Sequence, residues 1–547
     1  MTWRTCAIAL AALAAATPAR AQDSQPADRA DPGVIEQELN DDQRQPEPSR
    51  DGEVQSIERD SVSSDQIEIV AGAVRVEGAV VTPAAAFAPA IEPFLGRPLD
   101  RDALAQLAAA VARVARGRGY GLSTAWVPAQ DIERGILVVR IDEGRIDSVQ
   151  ADGPAARDVE ARLSEIARGR PVTTAGLERA LLLAGDVPGL WVGNAELIRN
   201  GRNILRVRTR YDRLAGRLWL DNWGSETIGP VRARAMIEAN GVATFGDRLT
   251  LGAMITPADP DELQFVDAGY RVPLGRNGTE IGVQAYLGWT NSLDFSGREV
   301  EGDSGEIEAE ISHPLQRTRD NSIWLSGRFT LRDSELMRPG QQLRDDRIVT
   351  ASATLSNSAR VAGGRMRGRF TLTRGLAILD ATDRGDPNAS RSDAGGVFTR
   401  LDYWLDYYRS LGAGFAILLA TEGQLADRPL LSSEEMGLGG RRFLRAFDYR
   451  EMSGDEGAAV SGEIQFNLRE PVRTVRNLQF YAYADAGSVA NDRGGFGGGS
   501  LASAGGGVRV TLRERLDAGV ELGIPLTDGA FDQDPDPRFS FTITARF

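Results

Sequence analysis

The feature that most constrains this chain is a two-residue alternation that begins near residue 212 and runs to its last residue, 547. Successive side chains of a strand point to opposite faces. At the terminus Phe539, Phe541, Ile543, Ala545 and Phe547 therefore share one face, and Ser540, Thr542, Thr544 and Arg546 the other. Likewise Ile281, Val283, Ala285, Leu287 and Trp289 oppose Glu280, Gly282, Gln284, Tyr286 and Gly288, and Ile464, Phe466 and Leu468 oppose Glu463, Gln465, Asn467 and Arg469. Clusters of Gly, Asp, Asn and Ser interrupt the pattern at short intervals, and helical spacing is absent. A soluble sandwich would put the apolar stripe inside. Here the apolar stripes carry almost no charge, while the polar stripes hold charge, Gly and aromatic residues, as at Arg365, Arg367 and Arg369 or Phe398, Arg400, Asp402, Trp404 and Asp406. That suits a transmembrane antiparallel β-barrel with a lipid-facing exterior and a wet, charged lumen. At roughly 21 residues per strand and connection, residues 212–547 predict an even count of about 16 strands.

The opposite end is consistent with a barrel in an outer membrane. Arg4, the apolar run from Ala7 to Ala16 and Ala19-Arg20-Ala21 read as a signal peptide over residues 1–21. Cys6 precedes the apolar run, so no lipobox is formed and the mature chain is expected to lack cysteine. No later segment approaches the roughly 20 apolar residues of a spanning helix.

Residues 22–65 are rich in Asp, Glu, Gln, Pro and Ser, a composition that cannot bury enough apolar surface to order itself alone. Within them, Asp31-Pro32 has the form of a helix N-cap and first turn, predicting a short helix over about 32–44 followed by a flexible linker. A solvated tail is the alternative. Residues 66–211 turn to mixed α and β. Ile67–Val70, Val74–Val76, Leu122–Pro128 and Ile136–Ile141 read as strands around a helix over 100–116, giving a first module over 66–147. Helices over 155–167 and 174–184, with strands at Ala195–Ile198 and Ile204–Arg208, give a second over 148–211.

Composition then excludes several chemistries. There is one Cys and one His, so a Cys/His zinc cluster, a disulfide framework and a Ser-His-Asp triad cannot be built; no metal, cofactor or catalytic residue is expected. His313 beside Pro314 reads as structural or exposed. Every basic residue is Arg, which rules out a G-x-x-x-x-G-K-[ST] nucleotide loop. A net charge of -14 argues against nucleic acid, which needs clustered positive charge. The Gly494–Ser500 run and the acidic Asp532–Pro537 run read as loops.

At several places the chain resembles the two-partner secretion (TpsB) transporters of the haemolysin secretion/activation type, outer-membrane barrels preceded by two POTRA domains. The resemblance lies in Gly119-Tyr120-Gly121-Leu122 through Trp126-Val127-Pro128-Ala129-Gln130-Asp131, in Glu143-Gly144-Arg145-Ile146, in Leu177–Leu183 with Pro188-Gly189, and in Asp221-Asn222-Trp223-Gly224-Ser225. Two further segments are more specific. Gly437–Phe447, containing Gly439, Gly440, Leu444, Arg445, Ala446 and Phe447, is similar to the family's V-R-G-Y/F tip on a loop folded into the lumen. Tyr483-Ala484-Asp485-Ala486-Gly487 is similar to its F-x-D-x-G strand motif. The resemblance implies that Arg445 meets Asp485 inside the barrel. Alternation independently places Asp485 on the lumenal face, with Gln479, Tyr481 and Tyr483. Leu444 and Ala446 stand where the family has Val and Gly, and Tyr483 where it has Phe. Ala446 is expected to matter most, since Gly tolerates φ > 0 or close packing.

The resemblance further implies an exported partner exoprotein (an adhesin, haemolysin or toxin), contact with outer-membrane lipid, insertion by the barrel-assembly machinery with Phe547 as the C-terminal signature, a plug made by the N-terminal helix and the inward loop, and modules in the periplasm. Exchanging the charges of Arg445 and Asp485 is expected to restore part of what either change loses. An insertase of the same superfamily is the alternative, disfavoured by a count of two modules, and a porin-like channel leaves residues 66–211 without a role.

Overall fold

The computed structural model describes residues 31–32, 54–57, 69–130, 135–199, 202–293, 298–492, 498–513, 515–530 and 533–547. The expected signal peptide, most of the expected plug helix and the greater part of the Gly494–Ser500 run lie outside these residues. The chain divides into two compact units, one built around residues 49–213 and the other around the rest.

In the first unit, Ala73–Glu77 pairs in parallel with Ile136–Asp142, which pairs antiparallel with Thr124–Trp126. Helix Arg101–Gly117 covers this sheet. Asp100 caps it by accepting the Ala103 N–H at 2.8 Å, and Leu107 and Val111 bury one face fully against Phe87, Leu99, Leu137 and Val139. The second module places helices Ala156–Leu163 and Thr174–Gly185 with a sheet ordered Val54–Ile57, Leu190–Arg199, Asn203–Tyr211, Ser148–Asp152. Two things differ from the sequence expectation. Ser148–Asp152 is a strand not foreseen, and Val54–Ile57, read as linker, pairs in parallel with Ala195–Ile198. A four-residue segment of polar context has no periodic signal of its own; the open edge of a neighbouring strand orders its backbone.

The Gly119–Leu122 motif has a structural explanation. The Gly121 N–H donates to Thr174 Oγ1 at 3.0 Å, and a Cβ at Gly121 would lie 2.5 Å from that oxygen, so the motif seats the second module's helix N-terminus against the first module.

The second unit is a closed barrel of sixteen strands, in order β1 (Leu214–Asp221), β2 (Arg232–Asn240), β3 (Arg248–Ile255), β4 (Leu263–Leu274), β5 (Thr279–Leu293), β6 (Glu299–Arg317), β7 (Asn321–Arg338), β8 (Gln341–Val361), β9 (Gly364–Gly375), β10 (Thr399–Gly412), β11 (Phe415–Ala426), β12 (Glu456–Val472), β13 (Val475–Ala490), β14 (Gly499–Leu512), β15 (Leu516–Pro525) and β16 (Arg538–Arg546). β1 closes on β16 with Arg217 opposite Arg546 and Asp221 opposite Thr542. The terminal residue extends the seam: Gly216 and Phe547 exchange two backbone hydrogen bonds at 3.0 Å, with the Phe547 ring over Gly216 and facing outward. Asn222, in the motif after β1, bonds the backbone of Phe539 and Phe541 across the same seam at 2.8 and 2.7 Å.

Connections on one rim are tight. Ala362-Gly363 and Ala413-Gly414 all have positive φ, as two-residue hairpin turns require. The other rim carries two long connections, residues 376–398 and 427–455.

Polarity settles what surrounds the barrel. On β6, Glu306 and Glu308 are 2% and 3% exposed while Ile307 between them is 57% exposed. On β5, Leu287 and Trp289 face out and Tyr286 faces in. Charge inside and hydrocarbon outside is the reverse of a water-soluble fold and fits a lipid exterior. The lumenal charges pair, among them Arg234 with Asp267 at 2.8 Å, Arg328 with Glu308 at 2.9 Å and Arg367 with Asp406.

Candidate functional site

Residues 427–455, between β11 and β12, fold inward. A short stem, Met436–Leu438 paired antiparallel with Met452–Gly454, carries the tip. At the top of the stem Gly439 and Gly440 have φ of 106° and 100°, and a Cβ at Gly439 would lie 2.0 Å from the Asp448 carbonyl oxygen, so side chains are barred there. The tip turns where the Phe447 N–H donates to the Leu444 carbonyl at 2.9 Å.

The structure brings Arg445 and Asp485 together. The Arg445 Nε and Nη2 donate to the two Asp485 oxygens at 3.1 and 3.2 Å, a bidentate pair with both side chains almost wholly buried. Three more acidic or polar groups share the guanidinium. Arg445 Nη1 donates to Glu463 at 2.9 Å and lies 3.6 Å from Glu521, and Nη2 donates to Ser461 at 3.3 Å. The guanidinium carbon sits 3.4 Å from the Tyr483 ring centroid, a cation–π contact. Behind it Arg509 repeats the motif: it donates to Glu463 at 2.7 and 3.1 Å and lies 3.6 Å over the Tyr481 ring, whose hydroxyl donates to Glu521 at 2.6 Å. Two guanidinium groups thus bridge three carboxylates on two stacked tyrosines.

Sequence reasoning missed Glu463, Glu521, Arg509 and Ser461 as members of this set. Alternation put Glu463 and Tyr481 on the inner face, but register decides who meets whom. Ser461 lies opposite Asp485 and Glu463 opposite Tyr483 only because β12 and β13 pair in that frame.

The tip departs from expectation in where its strain lies. Leu444, not Ala446, has the left-handed backbone, with φ of 60°. Ala446 packs against Gly523 of β15, where a Cβ would come 2.9 Å from its Cα, so the close approach is provided by the wall rather than the loop. Gly487 does the same for Leu444: a Cβ there would meet the Leu444 side chain at 3.0 Å. Phe443, Leu444, Ala446 and Phe447 fill an apolar cluster with Trp404, Ala459, Val489 and Leu501.

The lumen also receives Asp31 and Pro32. The buried Asp31 carboxylate accepts the Ser334 hydroxyl of β7 at 2.6 Å, and Pro32 lies against Gly288 of β5. The single histidine, His313 on β6, contacts Thr279 at 2.8 Å. Among the described residues no group of three potential metal ligands occurs.

A family model for the haemolysin secretion/activation proteins ShlB/FhaC/HecB matches residues 202–510, over half of the chain, and one for the ShlB-type POTRA domain matches residues 71–144. The chain belongs to the ShlB/FhaC/HecB family. It is 25% identical over 387 residues to the heme/hemopexin transporter protein HuxB of Haemophilus influenzae (strain 86-028NP), covering 69% of this chain and 68% of that protein. It is also 25% identical over 445 residues to the outer membrane transporter CdiB of Dickeya dadantii (strain 3937), covering 77% and 76%. The solved structure of CdiB from Escherichia coli shares the fold, with a TM-score of 0.73 at 20% identity over 97% of this chain and all of that one. Like other family members, the protein is an outer-membrane β-barrel transporter whose POTRA domain lies in the periplasm.

Proposed function

We propose that this transporter captures an unfolded secreted polypeptide through its two periplasmic α+β modules and passes it out through the barrel, with the 427–455 segment as the gate and Arg445 as the latch of its tip. The buried Arg445 clamp carries this reading: a loop crossing the lumen is fixed to the wall by charge-assisted bonds whose strength depends on water being kept out. The second module, like the first, is read as a POTRA domain. Strand addition at a sheet edge is the recognition mode such small sheets offer an extended chain. Without a nucleotide site, folding of the exported chain outside supplies the direction. Asp31 at Ser334 supports a plug made by the N-terminal segment. Lipid contact follows from the outer wall, and Phe547 at the seam is read as the C-terminal signature for the barrel-assembly machinery.

The test is Asp485→Arg. Two arginines would then face each other with Glu463 and Glu521 between them, and truncating or reversing one partner of a buried pair costs about 3–5 kcal/mol. Release of a co-expressed partner exoprotein into the medium should fall to background, and ion conductance of the purified protein in planar bilayers should rise. Unchanged release and conductance would overturn the clamp. The geometry also lowers what the exchanged pair can restore: Arg445→Asp sets a new carboxylate among Glu463, Glu521 and Ser461, so the double variant should recover little.

A further inference from the structure

The inward segment is fixed at a second place, away from its tip. Residues 376–398, the other long connection on that rim, fold against β8: Asp345 N–H donates to the Asn388 carbonyl at 2.7 Å, Ser390 N–H to Asp346 at 3.0 Å, and Thr382 N–H to the Arg347 carbonyl at 2.9 Å. From this platform Arg391 reaches both ends of the inward segment. Its Nη1 donates to Glu435 at 2.5 Å and to Asp455 at 2.8 Å, while Asp393 steadies its other face at 3.1 and 3.2 Å. Asp455 is fully buried and also accepts the Leu430 N–H at 2.7 Å and the Asp492 N–H at 2.9 Å, so one carboxylate gathers the start of the segment, its end and the next connection. Phe398 and Ala394 of the platform share a buried cluster with Leu430, Leu431 and Ile348.

The residues that hold the root differ from those that hold the tip, and so do their strands. Glu434 binds Arg332 of β7 at 3.0 Å and Arg400 of β10 at 2.6 Å, whereas Arg445 binds β12, β13 and β15. The root contacts thus fall on β7 and β10 and the tip contacts on β12, β13 and β15, so root and tip grip different stretches of the wall. Between them stand the stem and the Gly439-Gly440 pair, whose backbone freedom allows a bend.

We propose that Arg391 is a positioning residue for the gate: it forms a root latch independent of the Arg445 tip latch, so that the tip can swing off the wall while the root stays fixed. This rests on the reading of the segment as a gate, but the latch can be tested apart from export. The chain's only cysteine, Cys6, is replaced by Ala, and single reporters are placed at the root (Ser433→Cys) and the tip (Ala446→Cys), both buried sites. Ser433 Oγ has no hydrogen-bond partner to lose. Labelling by a membrane-impermeant maleimide is followed on the full-length protein in detergent.

Arg391→Gln should speed labelling of the root reporter by about tenfold or more, as expected when a buried charged pair loses one partner, and leave the tip reporter within about twofold. Asp485→Asn should do the reverse. Asp455→Asn, which keeps the shape but removes the charge, should reproduce Arg391→Gln at the root if the latter assembles poorly. If Arg391→Gln and Asp455→Asn expose both reporters together, or neither, the independent root latch is wrong. If labelling separates as expected while partner release stays at wild-type level in all variants, the root latch stands and the gate reading fails.

Discussion

The two units solve the same problem with opposite polarity. In the periplasmic unit Phe87, Leu107, Val111 and Leu137 are withdrawn from solvent and Arg and Glu lie outside, so stability comes from apolar burial. In the barrel Glu306, Glu308 and Asp485 are withdrawn, and Ile307, Leu287 and Phe480 are displayed. The wall residues need no interior because lipid serves as one, and the lumen must instead satisfy every charge it encloses. The difference teaches where each unit is fragile: the first at its hydrocarbon, the second at its ion pairs.

The sharpest way to test that contrast is truncation in matched positions. Phe87→Ala should cost the periplasmic unit about 3–5 kcal/mol, because a fully buried ring leaves a cavity. Leu287→Ala, on the outer wall, leaves no cavity and should be far milder. Urea midpoints of the intact protein in detergent, with protease cleavage inside residues 71–144 reporting the first module, would separate them. Equal losses at the two sites would mean that the barrel exterior is packed against protein.

Reversing the polarity of the wall gives the next effect. Leu287→Arg puts a cation near the middle of β5 facing hydrocarbon, which costs about 2–4 kcal/mol at mid-bilayer and less near an interface. Insertion into lipid vesicles should slow or fall, while Gln284→Arg, on the lumenal face of the same strand, should insert normally. Should both insert alike, the outward face of β5 would not be the lipid face.

Much of this contrast was legible in the sequence because alternation reports which face a side chain takes, and that alone separates a barrel from a sandwich. Thus the inward placement of Asp485 and the outward placement of Ile464 follow from counting by twos. What alternation does not report is register and loop path. Glu521 reaches Arg445 from two strands beyond Asp485, and Arg391 arrives from a connection with no periodicity, so neither had a signal in the chain. Val54–Ile57 has no signal for a related reason: its order comes from a partner strand 141 residues away, Val54 lying opposite Ala195. Conversely the family-like Gly119–Leu122 and Glu143–Ile146 segments were visible as motifs, but their work became clear only with the geometry.

Glu143 gives the smallest effect and tests a place where the periplasmic unit behaves like the lumen, burying a charge. Its carboxylate accepts the N–H groups of Val80, Val81 and Thr82 at 2.5, 2.8 and 2.8 Å and is 2% exposed. Burial pushes its pKa up, but hydrogen bonds from Thr82, Val81 and Val80 together outweigh burial and hold it below the usual 4.5. A folded-state pKa below the unfolded one means that the stabilisation is fully present above the ordinary carboxylate range and is lost as pH falls through the folded value. Glu143→Gln keeps one acceptor oxygen for three donors, so at pH 7 the first module should lose about 1–3 kcal/mol. Toward pH 4 the wild-type protein should approach the variant, because protonation of Glu143 removes the same advantage. A gap between the two urea midpoints that stays constant from pH 7 to pH 4 would show that the shape of the side chain, and not its charge, holds the 80–82 turn.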